Sequence, residues 1–586
     1  MATVPPAPAA APKPDPKAPL HIQHPKFKPA YHAPGAASLL PAQEGWVTPL
    51  SAPAFFPRDV FHTVLAELTA HPEQNSSLIL RAEVQPLRTS DSDDGGVGAQ
   101  LGLEHSTQRL RFVPRQPRRD GPLEQRVHTY AGREDLGLVL KLPDAGSAAD
   151  VPYYHPAVRA LAFVWEAADE DAEAVFDEAT GDRVYGRISI SYLPFEDSPA
   201  TVGPDVFLVP PPKPARKRSP LAPVSEEPAV VLPAEDAAGA EEARKLAEKR
   251  LQRTCLALLE KLHKHGHGSH NGYVKRVIHD VVVSKAPFQD LYQALKERHH
   301  TLESRKAKAW STKVEDVKRH VWKDIAIAAF LMLLWKDMYP AREGPALSGM
   351  EWDAWGRPAG GFIDLGCGNA LLVHILISEG YRGKGYELRA RRTWPEYPAA
   401  TQAALVDLPI NMPSLFPETL EQWDSGEWPG SDECVIKENT FLIGNHADEL
   451  TPWLPLLSLL PPTPVPHLSL PCCLHTLDDA FTTLDYAPPP HPHTPRGGFD
   501  DGLEAGSSRY KSYVMWLGWC GLQAGWMWEK EPLRIPSTRG WGIVARKRWA
   551  TDKEQDRACR TWALQEVDRV RHGGAFKVRE KEGNDH

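Results

Sequence analysis

The sequence predicts an α/β protein whose C-terminal part is a mostly parallel, doubly wound sheet, preceded by a helical segment and a β-rich accessory domain. Three observations predict it. From residue 346 onward, short apolar runs alternate with segments of helical period, the pattern of strand-helix-strand units. The first of these runs, Gly361 to Leu365, contains the acid Asp364 and opens into Gly366-Cys367-Gly368-Asn369 just before a helical pattern. Glycines there let the backbone turn tightly and approach a ligand, and the helix start supplies polar partners. Between 46 and 210, by contrast, short β-rich runs recur between turn signals.

The elements follow in order. Residues 1–45 alternate Ala, Pro and Lys with few large apolar groups, which cannot bury enough surface to offset ordering entropy, so a disordered tail is expected. In the 46–210 accessory domain, strands are expected at 77–84, 108–113, 136–142, 160–165 and 187–193, with 90–96 as a loop. Residues 211–240 read as a Pro-rich linker carrying Lys213, Arg216, Lys217 and Arg218. The 241–345 segment reads as helical, with an amphipathic helix from Glu241 to His263 and a helical stretch from Asn271 to Tyr339. Within it the apolar run Ile325 to Trp335 is too short to span a bilayer and reads as a buried core helix. In 346–586 seven strands are expected, at 362–365, 384–388, 403–407, 441–444, 467–474, 526–535 and 540–546. Helices are expected at 369–379, 449–459 and 509–522.

Composition narrows the class. A charged fraction of 24% with 42% hydrophobic residues is that of an ordinary soluble globular chain. The net charge of -9 means that any nucleic-acid contact must come from local basic patches. The seven cysteines include no CxxC pair, so neither a zinc clamp nor a redox pair is expected, and a reduced cytoplasmic setting fits. No secretory h-region opens the chain, and neither a metal nor a membrane is expected.

The glycine turn lacks the third glycine of the dinucleotide fingerprint, because Leu371 stands where it would fall. That favours S-adenosylmethionine over a dinucleotide. Asp364 is a candidate to accept from the methionine amino group, or else a helix-capping acid. Glu387 lies near the ~20-residue offset at which an acid meets ribose hydroxyls, or else is a surface acid facing Arg389 or Arg391. Asp407 is a candidate for the adenine amino group, or an ordinary solvated loop acid. With Gly366, Cys367, Gly368 and Asn369 these complete the expected cofactor set.

The residues quoted so far, together with Gly444-Asn445-His446-Ala447-Asp448-Glu449-Leu450-Thr451-Pro452-Trp453, Leu470-Pro471-Cys472-Cys473 and Leu533-Arg534-Ile535-Pro536-Ser537-Thr538, resemble the fungal and animal tRNA (uracil-2'-O)-methyltransferases. Asn271 to Arg276 and Lys323 to Ala328 fit the same family. The resemblance implies a Rossmann-like, seven-stranded S-adenosylmethionine-dependent methyltransferase sheet. It also implies a cytoplasmic enzyme that methylates the ribose 2'-hydroxyl of uridine 44 in serine tRNA. Two departures, Ala370 in place of a family glycine and Glu387 in place of an aspartate, are expected to be mild. The stretch from about 480 to 506 looks like a loop expansion.

Transfer to a hydroxyl needs an acceptor held in line and relieved of its proton. His446 is the candidate base and Asn445 the candidate orienting group. Asp448 is either catalytic or a helix cap, and Lys511 either assists catalysis or lies on a solvated helix face. Arg389, Arg391 and Arg392 beside Trp394 combine charge with an aromatic, as RNA contact requires. Arg534, Ser537, Thr538 and Arg539 form a polar loop suited to phosphate, or a plain hairpin turn. His263, His265, His267 and His270 read as a flexible basic turn interrupted by Gly266 and Gly268. Cys472 and Cys473 read as core sulfur. The competing functions are a nucleotide-dependent oxidoreductase and a non-catalytic RNA-binding protein with a degenerate methyltransferase fold.

Overall fold

The computed structural model describes residues 24–32, 39–40, 45–117, 119–168, 175–196, 237–273, 277–302, 314–344, 349–431, 434–535, 539–573 and 576, with side chains of 237–243 and 314–319 excepted. Most of the expected tail and linker, Lys213, Arg216, Lys217, Arg218, Lys275, Arg276, Ser537 and Thr538 lie outside the described residues. The described residues fall into two compact units, within Leu20–Val274 and within Lys275–His586. The division falls inside the segment expected to be one helical piece.

The first unit is an eight-stranded antiparallel sheet with helices laid on it. Its strands are β1 (Ala30–Tyr31), β2 (Val47–Ala54), β3 (Ile79–Gln85), β4 (Glu104–Pro114), β5 (Leu123–Ala131), β6 (Leu136–Pro143), β7 (Ala160–Ala167) and β8 (Gly186–Leu193), in the order β1-β2-β8-β7-β6-β5-β4-β3. Helix α1 (Arg58–Ala70) and helix α2 (Ala237–His270) cover it. In α2, Leu251, Cys255, Leu259 and Leu262 recur at helical spacing and are buried against Phe61, Leu65, Ile188 and Ile190. The expected flexible histidine turn is instead the last turns of α2. Gly266 does not break the helix; it lets the helix approach the Phe56 ring, which an added Cβ would meet at 2.2 Å. His267 is buried, with Nε2 3.0 Å from Asp182 Oδ2 and Nδ1 3.0 Å from His24 Nδ1.

The second unit is built on seven strands: β9 (Gly361–Leu365), β10 (Gly383–Glu387), β11 (Leu405–Asp407), β12 (Thr440–Asn445), β13 (His467–Leu470), β14 (Lys530–Pro532) and β15 (Trp541–Ala545). Their order is β11-β10-β9-β12-β13-β15-β14. β9 to β13 are mutually parallel, while β15 runs antiparallel to both β13 and β14. Strand alternation sends side chains to two apolar layers. Phe362 and Phe441 pack with helices α3 (Lys285–Arg298), α4 (Val314–Met338) and α5 (Leu371–Ser378). Ile363, Leu365 and Leu442 pack instead with Trp453, Leu456 and the buried face of α7 (Lys553–Gly573). Helix α6 (Arg509–Gln523) packs on Trp541 and Ile543 together with Phe481, Phe499 and Leu503, so the 480–506 stretch is irregular yet contributes core. All of Ile325 to Trp335 is buried, as its apolar run demands.

Strand order reverses at β9: β10 and β11 lie on one side and β12 and β13 on the other. The crevice at the carboxyl ends of β9 and β12 is where an open parallel sheet receives its ligand.

Candidate active site

A cleft of about 890 Å³ opens at that crevice, walled by Gly366, Gly368, Glu387, Arg389, Arg391, Met412, His446, Asp448 and Trp453, among others. Its floor is the turn after β9. Gly366 and Gly368 have φ of 71° and 54°, a region that favours glycine, and an added Cβ on Gly368 would meet open space rather than protein. Gly366 N–H and Cys367 N–H both donate to the Tyr386 carbonyl, at 2.9 and 3.0 Å. Asn369 Oδ1 accepts from Leu371 N–H at 2.9 Å, which starts α5 two residues later than expected. Ala370 also has positive φ, 62°. The alanine, expected to be a mild departure, is therefore held in the left-handed region, at a cost of roughly 1 kcal/mol.

Glu387 ends β10 and reaches the same turn. Its Oε2 accepts from Gly368 N–H at 2.8 Å, and its Oε1 accepts from Leu388 N–H at 3.1 Å and Arg391 Nη2 at 2.9 Å. Glu387 thus faces Arg391, as one of its two sequence readings has it, and it lines the cleft. Trp394 does not offer a stacking face: it is buried, and Nε1 donates to the Gly368 carbonyl at 3.0 Å. Thr393 and Tyr397 hydroxyls donate to the Asn369 carbonyl at 3.2 and 2.9 Å. Asp407 is exposed and is not among the cleft-lining residues, whereas its neighbour Leu408 is.

Asp364 lies under the turn rather than on the wall. It is 1% exposed, and its Oδ1 has no hydrogen-bond partner among the described residues. Burial, then the neighbouring Asp324 and Glu387, push its carboxyl well above the usual carboxylate range. Asp324, on α4, is likewise raised by burial, opposed by Lys323 and by a hydrogen bond from the Asn445 side chain. Sequence reasoning missed Asp324 as a site residue. The signal was an acid bounding the most apolar run in the chain, where an unpaired charge is costly.

The far wall is the loop after β12. His446 and Asp448 both have positive φ, 55° and 46°. His446 Nε2 is buried without a partner among the described residues. Burial lowers the His446 imidazole to about 4, with Lys323 acting in the same direction and Asp448 against it. The segment expected to be a helix from 449 is a 3-10 turn, Asp448–Trp453, followed by one α-turn, Leu454–Leu457, with no side-chain cap. Asp448 faces sulfur instead: Cys472 Sγ lies 3.3 Å from its Oδ1 and 3.5 Å from Cys473 Sγ. Both cysteines are half-buried rather than core.

Of the remaining candidate cations, Lys511, Arg534 and Arg539 are not among the cleft-lining residues. Lys511 Nζ turns to the Gly506 carbonyl at 3.4 Å and Asp500 at 3.9 Å. Arg534 grips Asp280 through two hydrogen bonds of 2.9 and 2.6 Å. Arg539 donates to the Cys472 carbonyl and lies 5.5 Å over the Tyr510 ring. Arg389 and Arg391 line the cleft; Arg392 is exposed and is not among its lining residues.

A glycine turn at the switch point, an acid closing the next strand and, across the cleft, an imidazole whose Nε2 has no partner among the described residues fit a nucleotide-cofactor transferase of the methyltransferase class. Known proteins agree along most of the chain. Residues 21–276 match the family described as TRM44-like, N-terminal bet v1-like domain, and residues 282–411 match a predicted AdoMet-dependent methyltransferase family. A tRNA (uracil-O(2)-)-methyltransferase of Neurospora crassa is 31% identical, covering 89% of this chain and 92% of its own length. One from Schizosaccharomyces pombe is 30% identical over 90% of each chain, and one from Yarrowia lipolytica is 36% identical over 51% of this chain and 53% of its own. No solved structure matches. The chain belongs to the tRNA (uracil-O(2)-)-methyltransferase family.

Proposed function

We propose that this protein uses S-adenosylmethionine to methylate the ribose 2'-hydroxyl of a uridine in tRNA, on a Rossmann-like methyltransferase sheet and in the cytoplasm, where its seven unpaired cysteines stay reduced. The single observation that carries the cofactor reading is the Gly366–Gly368 turn tied by Gly368 N–H to Glu387 at the mouth of an 890 Å³ cleft. The residues fit the cofactor. It is a cation, and Asp364, whose carboxyl is raised by burial and whose Oδ1 has no partner among the described residues, would ionise beside it. Gly366, Cys367, Gly368 and Asn369 would hold it by backbone. Glu387 would take its ribose hydroxyls, displacing the exposed Arg391. Asp407, one residue from the wall, is the weaker partner for adenine.

The bound cofactor supplies an electrophilic methyl group. His446 is the base in this reading: its imidazole stays neutral at physiological pH, and its Nε2, buried without a partner among the described residues, would accept the hydroxyl proton. On methyl transfer the hydroxyl proton would pass to His446 Nε2 and then to water. Asn445, held by Asp324, fixes the strand end from which His446 projects. Arg389, Arg391 and Arg539 supply cations for the tRNA backbone. Uridine 44 of serine tRNA is the target that the family resemblance implies.

Equilibrium binding tests the cofactor choice. S-adenosylmethionine is expected to bind and NADP not to bind; tight NADP binding without S-adenosylmethionine binding would favour an oxidoreductase instead.

A further inference from the structure

We infer that Asp448, Cys472 and Cys473 form a site for a thiophilic divalent cation, zinc(II) foremost, that fastens the catalytic loop to the end of the neighbouring strand. The carboxylate and the two thiols offer one ligand atom each, all within 4.8 Å of one another. Cys472 Sγ is 3.3 Å from Asp448 Oδ1 and 3.5 Å from Cys473 Sγ. A tetrahedral zinc with sulfur at about 2.3 Å and oxygen at about 2.1 Å needs edges of about 3.8 Å between sulfurs and about 3.6 Å between sulfur and oxygen. The observed separations are a few tenths of an ångström short, which side-chain rotation supplies.

Adjacent residues on a regular extended strand point to opposite faces. Cys472 and Cys473 lie just past the end of β13, where the extended run stops, and both thiols come to the Asp448 side. A second observation comes from the loop that carries Asp448. His446 and Asp448 both hold left-handed backbone conformations, which cost energy unless the surroundings enforce them. A cation bound to Asp448 and to the β13 end would enforce them, and would set the position of His446 two residues away. Two thiolates and a carboxylate fill three tetrahedral positions and leave the fourth to water. Two cysteines and one acid suit zinc better than magnesium or calcium, which take oxygen.

The test uses the full chain, purified under reducing conditions and stripped with a chelator. Zinc(II), titrated against a chromophoric competitor, is expected to bind at one equivalent per chain with release of thiol protons. Cobalt(II) is expected to give a thiolate charge-transfer band and tetrahedral ligand-field absorption. Cys472→Ser/Cys473→Ser is expected to lose both the band and stoichiometric binding, and Asp448→Asn to weaken binding while keeping the thiolate band. Substoichiometric zinc binding at micromolar concentration, cobalt spectra without a thiolate band, or a disulfide between the two cysteines in freshly purified reduced protein would overturn the site. The cobalt spectrum of the unaltered chain decides even where a variant fails to fold.

Discussion

The two edges of the second sheet treat buried acids in opposite ways. At the amino edge, Glu379, which follows α5, is fully buried and satisfied: Arg298 Nε donates at 3.0 and 3.1 Å, His299 Nε2 at 2.7 Å and Trp352 Nε1 at 3.0 Å. Burial alone would raise its carboxyl, but His299 and Arg298 outweigh burial and hold it below the usual range. At the carboxyl edge, Asp364 is also buried, keeps an oxygen without a partner among the described residues and is raised well above that range. One edge is complete by itself and the other is built to be completed by something that binds. Unmet polarity, more than polarity as such, marks the site.

That contrast can be broken, beginning with the largest effect. Glu379→Gln strips charge from a buried network and leaves Arg298 and His299 facing a neutral amide, so it should destabilise the protein by about 3 kcal/mol; denaturant unfolding measures it. A loss below about 1 kcal/mol would mean that the network is not structural. His446→Asn tolerates the left-handed backbone as histidine does, so cofactor binding should persist while methyl transfer falls about 100-fold. The pH dependence sharpens this. With the folded imidazole at about 4 and the unfolded one near 6.5, the native state favours the neutral ring. Stability tied to His446 is therefore full above the unfolded value and declines as pH falls from about 6.5 to 4. Catalysis should show no protonation step of His446 between pH 5 and 8; a step at about 6.5 that vanishes in the variant would refute the burial argument.

Asp364→Asn probes the unmet carboxyl. A raised acid in the folded state loses stability as pH rises above its unfolded value, so at pH 8 the cofactor-free variant should be as stable as the parent or more so. Its affinity for S-adenosylmethionine should nonetheless drop about tenfold, near 1.4 kcal/mol. Destabilisation with unchanged affinity would reverse the comparison and make Asp364 a structural acid like Glu379. The smallest effect belongs to Ala370→Gly, which relieves the positive φ at the start of α5 and should stabilise by up to about 1 kcal/mol in thermal unfolding.

Much of the second unit was legible because its signals are local. The apolar strands, the glycine turn and the acid at Glu387 fall within short windows, and the seven strands appear in the expected sequence order. What escaped was set by partners far along the chain. Lys511 and Arg534 looked like site cations until Asp500 and Asp280 claimed them. Asp324 precedes the turn by about 40 residues and reaches it only through the packing of α4. Helix α7 supplies much of the apolar layer on one sheet face and went unpredicted because charges crowd its exposed face. In the first unit, β2, β5 and α1 escaped for a related reason: their residues are sorted by the sheet they join, and their period is weak alone.

The central claim, that the carboxyl edge is a methyl-donor cleft serving a ribose hydroxyl, meets its most direct test in methyl transfer from labelled S-adenosylmethionine to serine tRNA and to the same tRNA with 2'-deoxyuridine at position 44. Labelling of the first at the ribose of uridine 44 and none of the second is the predicted result. Equal labelling of both, or methylation on a base, would contradict it.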